Sequence, residues 1–314
     1  MKFIKYSIAL ITCFALSVPA MAQRSTRSQG EVPPPKTKKA AQEQTVPHRS
    51  KKRSPQNTGV VAGQIRPRVF LNPGHGGHDS DDRPCPFYNE GMQARVEYYE
   101  SDSNLKGAMA MKDILRSRGY EVFMSRVNNT TDDDLNLFEI HQLALNSGAD
   151  VFFAIHSNSS GSATRRVNFP FAIYRGYDGG GTAEGSEELA GIVASNLADC
   201  EATSWSRGGL THGDWSFYRN RSGLGVFRWN KLPGILVENC FHDYQIERER
   251  LLNKDYCGLL ATINSRSLDK IFNRPAQQFG MVAGIVRYDY PRKGKRLTSF
   301  GKDAYQPLNG VPVE

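Results

Sequence analysis

Three apolar runs in this 314-residue chain end on a residue that can do chemistry. Val69-Phe70-Leu71 leads through Asn72-Pro73-Gly74 into His75, the run from Val151 to Ile155 stops at His156, and Gly234 to Val237 stops at Glu238. A fourth candidate, Glu100, lies between the first run and the first helical stretch. Runs of this length read as buried strands, and the Pro and Gly after Leu71 end the strand and supply backbone conformations that other residues resist. Two imidazoles, one carboxylate and an open position make a catalytic zinc set, with a further carboxylate left to handle protons. Neutral imidazoles beside a single carboxylate leave such an ion net positive and an effective Lewis acid. The separations of 25, 56 and 82 residues between His75, Glu100, His156 and Glu238 hold no local metal motif of the HExxH kind, so the grouping depends on the fold. Taken alone, His75 reads more simply as a polar residue in a tight turn.

A fold that gathers these residues must bring strand ends to one edge. Strands are expected at Arg68 to Asn72, Tyr120 to Ser125, Val151 to His156, Phe171 to Tyr174, Gly225 to Trp229 and Gly234 to Cys240. Helices are expected at about Ser103 to Arg118, Leu135 to Asn146, Gly185 to Ala198 and Tyr244 to Phe272, with a long loop after the first strand. The alternation predicts one α/β domain over about residues 60–274: a mainly parallel twisted sheet with helices on both faces. In such sheets ligands collect at the carboxyl ends of the strands. The continuous run VFFAIH is what a strand buried on both faces shows.

Residues 1–22 carry two lysines, a short apolar run and Ala20-Met21-Ala22, the pattern of a cleavable secretory signal. Residues 23–58 lack apolar periodicity and read as a disordered basic linker, with nine Lys and Arg against Glu31 and Glu43. The chain's net charge of +8 therefore belongs to this tail, and the body is close to neutral. In an exported chain, placed in the periplasm or cell envelope or secreted, such a tail suits an anionic wall or membrane surface rather than nucleic acid. The plainer reading is a solvated tether. No later stretch has the length and apolarity of a transmembrane segment. Four cysteines follow the signal, Cys85, Cys200, Cys240 and Cys257, and permit three disulfide connectivities or none. Cys240 lies two residues beyond Glu238, so on a regular strand the two share a face. His78 reads as a rim residue and His242 as a neighbour of the site or an exposed group. His212, in LTHGDWSFYRN, belongs to a polar-aromatic loop that either stacks on sugar or peptide or packs the domain's edge.

The ordered set NPGHGGHD, ESDSNL, FFAIHSNS and PGILVENCF resembles the zinc-dependent N-acetylmuramoyl-L-alanine amidases of bacterial cell walls, over about Val69 to Ile271. The resemblance implies a Zn2+ ion held by His75, Glu100 and His156, with Glu238 as the catalytic carboxylate. It implies hydrolysis, in peptidoglycan, of the amide between the muramic lactyl group and the first alanine of the stem peptide. Three features depart from the family pattern: the long segment Asp79 to Cys85, His141 where an arginine is common, and Cys240 and His242 after the final glutamate. The alternatives are a zinc peptidase cutting within the stem peptide, and a non-catalytic peptidoglycan-binding protein on the same scaffold. Residues 277–314 form a β extension, with strands expected at Phe279 to Tyr290 and entering Gln306 to Val313. Two strands cannot make a sandwich, so the extension reads either as the start of a truncated β-sandwich domain or as a hairpin docked on another sheet.

Overall fold

The structure is a computed structural model that describes residues 66–79, 84–89, 94–161, 167–200, 203, 210–277, 287–291 and 305–307. The signal, the linker and most of the β extension lie outside the described residues. In chain order the elements are β1 (Arg68–Pro73), β2 (Phe87–Asn89), β3 (Ala94–Val96), α1 (Glu100–Ser117), β4 (Glu121–Met124), α2 (Leu137–Ser147), β5 (Val151–Asn158) and β6 (Phe171–Tyr174). They continue with β7 (Gly176–Tyr177), β8 (Gly180–Gly181), α3 (Ser186–Asp199), β9 (Leu210–Gly213), α4 (Asp214–Phe217), β10 (Gly234–Phe241), α5 (Gln245–Leu251) and α6 (Lys254–Ile271). The short strands β11 (Arg287–Pro291) and β12 (Tyr305–Pro307) pair antiparallel in a sheet of their own.

The main sheet runs β4-β1-β5-β10-β6-β9. The first four strands are parallel, β6 turns antiparallel against β10, and β9 runs parallel to β6. Alternating side chains sort the core into two layers. Val69, Leu71, Phe153, Ile155, Ile235 and Val237 face α1, α3 and α6, whereas Phe70, Phe152, Ala154 and Leu236 face α2 and the 3₁₀ turn at Gly225–Phe227. Helices therefore cover both faces. No helix among the described residues is long and apolar enough to cross a membrane.

Four expectations need correction. Gly225 to Trp229 is not a strand: Val226 and Phe227 pack a 3₁₀ turn onto the sheet, and the edge strand beside β6 is instead β9. The single helix expected over Tyr244 to Phe272 is two, because Asn253 stops one and caps the next by accepting a hydrogen bond from the Asp255 amide at 2.8 Å. The long loop after β1 contains the hairpin β2–β3, held where the Arg248 guanidinium lies 4.8 Å from the centre of the Phe87 ring and donates to Cys85 Sγ. Finally, α1 begins at Glu100 rather than Ser103. That places a carboxylate in the first turn of a helix, where the unpaired amides and the helix dipole favour negative charge.

Candidate active site

His75 is presented by a loop with almost no freedom. Its backbone is left-handed, with φ of 61°, and the preceding glycine donates to Ile155 O at 2.9 Å. A Cβ on Gly74 would stand 2.0 Å from Cε1 of His156, so only glycine lets the loop pass the second imidazole. Gly77 combines a φ of 93° with a backbone contact to Thr131 that leaves a Cβ only 2.8 Å. One buried cation fixes this loop to its neighbours. Arg126, just beyond β4, donates to the carbonyls of Pro73 (3.2 Å), Gly74 (3.0 Å), Ser101 (2.9 Å) and Asn128 (3.0 Å). It thereby ties the His75 loop to the first turn of α1. Asn129 completes the tie, accepting from the Gly77 amide at 2.9 Å and donating to Asp102 at 2.6 Å.

Glu100, at the start of α1, stands between the imidazoles. Its Oε2 is 3.2 Å from His75 Nε2, and its Oε1 accepts from His156 Nδ1 at 3.0 Å, from the Ser157 amide at 3.0 Å and from Asn104 Nδ2 at 3.1 Å. One donor atom from each of His75, Glu100 and His156 falls within a 4.8 Å span. Burial works against charge on Glu100, but the His75 imidazole and the hydrogen bonds from His156 and His75 outweigh it and hold the carboxyl well below its usual range. Burial lowers the pKa of His156 although Glu100 pulls the other way, so this imidazole is neutral at pH 7. A neutral imidazole with a carboxylate beside it is in the protonation state a metal requires. Two nitrogen donors and one oxygen donor fit a zinc site with an open position.

His242, unusual in its motif, is not exposed. It is buried behind Glu100, with Nδ1 donating to Ser157 O at 2.9 Å and lying 3.7 Å from Glu100 Oε2, and its ring stacks on Tyr98. Burial lowers its pKa too, against the pull of Glu100. With folded pKa values below the ordinary 6.5, His156 and His242 refuse protons that the unfolded chain takes up. Stability from these groups is complete above that pH and is lost as pH falls; Glu100, also depressed, adds stability lost at still lower pH. Chelator-treated protein is therefore expected to melt at progressively lower temperature as pH drops from about 7 to about 5. Thermal unfolding followed by circular dichroism checks this, and a melting temperature that stays flat or rises would contradict it.

Glu238 lies on β10 directly across from His156 on β5, so the two side chains leave neighbouring parallel strands on the same face. Cys240 does not share that face. The register shifts between Glu238↔His156 and Phe241↔Asn158, so two residues of β10 oppose one of β5. This β-bulge reverses the alternation and turns Cys240 into the layer of Ile235 and Val237, where it is fully buried. Burial pushes its thiol well above the usual range, so it is no nucleophile. All four described cysteines are free thiols.

The other histidines stand apart from the triad. His78 stacks on Tyr99 and lies 2.9 Å from Asp102, a rim position as expected. His212 sits on the edge strand β9, 3.1 Å from Asp178, with Phe171 and Phe217 against its ring. His141 is buried on α2, where burial and then Lys231 lower its pKa. Reading the sequence missed Arg126, Asn129 and Asn104. A sign of Arg126 was present, a lone arginine directly after an apolar strand, but its partners are main-chain carbonyls that no local pattern marks.

Residues 69–269 match the family described as N-acetylmuramoyl-L-alanine amidase. A sporulation-specific N-acetylmuramoyl-L-alanine amidase of Bacillus subtilis (strain 168) is 28% identical over 207 residues, spanning 66% of this chain and 68% of its own length. Among solved structures, an N-acetylmuramoyl-L-alanine amidase from Clostridium difficile 630 aligns with a TM-score of 0.52 and 26% identity, covering 66% of this chain and 97% of that one. The amidase AmiC2 of Nostoc punctiforme, 22% identical, shares the fold with a TM-score of 0.52 over 68% of this chain and all of its own.

Proposed function

The chain belongs to the N-acetylmuramoyl-L-alanine amidase family, and from that premise we propose that it cleaves the muramoyl–alanine amide of peptidoglycan with one zinc ion held by His75, Glu100 and His156. The observation that carries this reading is the meeting of those three donors within 4.8 Å at the carboxyl edge of the sheet. Zinc, when bound there, would supply Lewis acidity, making hydroxide available near pH of about 7 and polarising the amide carbonyl. The chain's own residues do the rest. Glu238, beside His156 on the neighbouring strand, takes the proton of the attacking water and passes it to the amine nitrogen, a poor leaving group until protonated. Glu100 orients the His156 ring through Nδ1, and Arg126 keeps the His75 loop and α1 at a fixed separation. The leader-like first residues support export to the cell envelope, where the basic tether would meet the anionic wall.

Metal analysis of the purified protein, joined to mass spectrometry of digested cell wall, tests the reading. One zinc per chain and release of intact stem peptides with a new amino-terminal alanine are expected. Cuts only within the stem peptide would replace the amidase reading with the peptidase one, and full activity in metal-free protein would remove zinc from it.

A further inference from the structure

The bulge that turns Cys240 inward leaves Asn239 at the point where the ladder between β10 and β5 is interrupted. Asn239 is 4% exposed, and its Nδ2 donates to the main-chain carbonyl of His156 at 3.3 Å. Its Oδ1 accepts from Nδ2 of Asn264 on α6 at 3.0 Å, and Asn264 is 1% exposed. The polarity of this chain is forced. A carbonyl only accepts, so Asn239 must turn its amide nitrogen toward His156 and its oxygen toward Asn264, which in turn must donate. Asn264 Oδ1 is consequently left buried with no hydrogen-bond partner among the described residues. A cavity of about 20 Å³ lies alongside, lined in part by Asn104, His156, Asn239, Cys257 and Asn264.

We infer that Asn239 is a positioning residue: its amide replaces strand-to-strand pairing at the bulge and fixes Glu238 relative to His156, with Asn264 locking its orientation from α6. The inference rests on the roles proposed for those two residues. Neighbours in sequence, Glu238 and Asn239 divide the work. The first points to the substrate side, and the second grips the strand that carries the metal-binding imidazole. The bulge makes this division possible by freeing a side chain to bond to main chain.

The test replaces Asn239 with Leu, which has similar size and no hydrogen bonds, and compares it with Tyr120→Phe. The latter removes a buried hydrogen bond to Asp269, near the far end of α6. Zinc affinity is read by chelator competition without substrate, and kcat and KM are read separately at a temperature where every variant is folded. Asn239→Leu is expected to weaken zinc affinity about tenfold and lower kcat about 10- to 100-fold with KM nearly constant. Tyr120→Phe is expected to lower the melting temperature alone. Asn264→Ser, which keeps Asn239 but releases its orientation, should move zinc affinity and kcat in the same direction by less, and serves if the Leu variant does not fold. Wild-type zinc affinity and kcat in variants that merely melt earlier would overturn the inference while leaving the zinc site standing. A wild-type protein that binds no zinc would overturn both.

Discussion

Glu238→Gln is expected to lower kcat by roughly 10²- to 10⁴-fold while zinc content, fold and melting temperature stay close to wild type. The amide of Gln matches the carboxylate in size and fits the same half-buried position opposite His156, so packing and register are kept. What is lost is basicity, because an amide cannot carry a proton from water to a leaving nitrogen at neutral pH. KM should change little, since in the proposed role the residue acts on the reacting atoms rather than on the remote parts of a glycan or peptide. Release of new amino termini from purified cell wall measures the effect. Turnover near wild type would mean that another group moves the proton.

A second large effect is expected at a residue that touches no substrate. Gly74→Ala should reduce zinc affinity by about 10²-fold or more and activity with it, at the upper end of what changes around metal ligands produce. The cause is steric. The added methyl would sit 2.0 Å from one ring atom of His156 and 2.2 Å from Nε2, far inside contact distance. The loop cannot retreat, because the Gly74 amide is bonded to Ile155 and its carbonyl accepts from both Asn104 and Arg126. The imidazole must therefore swing away and give up its bond to Glu100. Gly74 is absent from the positive-φ glycines, so alanine strains no backbone dihedral and the effect isolates the clash. Gly191→Ala, on α3 with open space around it, is the matching control and should be neutral or slightly stabilising. Zinc retained after gel filtration gives the readout. A Gly74→Ala protein holding a full equivalent of zinc would show that the loop yields where the hydrogen bonds say it cannot.

The parts of this fold written in local pattern could be read directly from the sequence. VFFAIH and GILVE are runs that a doubly buried strand demands, and in each the apolar run stops on a residue able to do chemistry, so strand and candidate site residue were visible together. Where several structures share one local pattern, the reading failed. Gly225 to Trp229 offers too few residues for periodicity to separate a strand from a 3₁₀ turn. The end of α5 and the start of α6 hinge on one asparagine in an otherwise helical stretch. The bulge after Glu238 leaves no mark in the sequence, since nothing in ENCF states that β10 is one residue longer than its partner requires. The roles of Arg126 and Asn239 were illegible for a related reason. Both bond to main-chain carbonyls brought close only by the completed sheet.

The start of α1 at Glu100 has a consequence for how the protein survives as well as for how it works. The three donors come from the end of β1, the first turn of α1 and the end of β5, so one ion held among them joins elements distant in sequence. The unfolded chain has no such site. Zinc bound as proposed would therefore act as a reversible cross-link whose strength depends on the surroundings, adding about 2.7 kcal/mol of stability when free zinc exceeds its dissociation constant a hundredfold. Resistance to heat and to proteases should follow the zinc supply of the compartment, and scarcity would shorten the protein's lifetime as well as silence it.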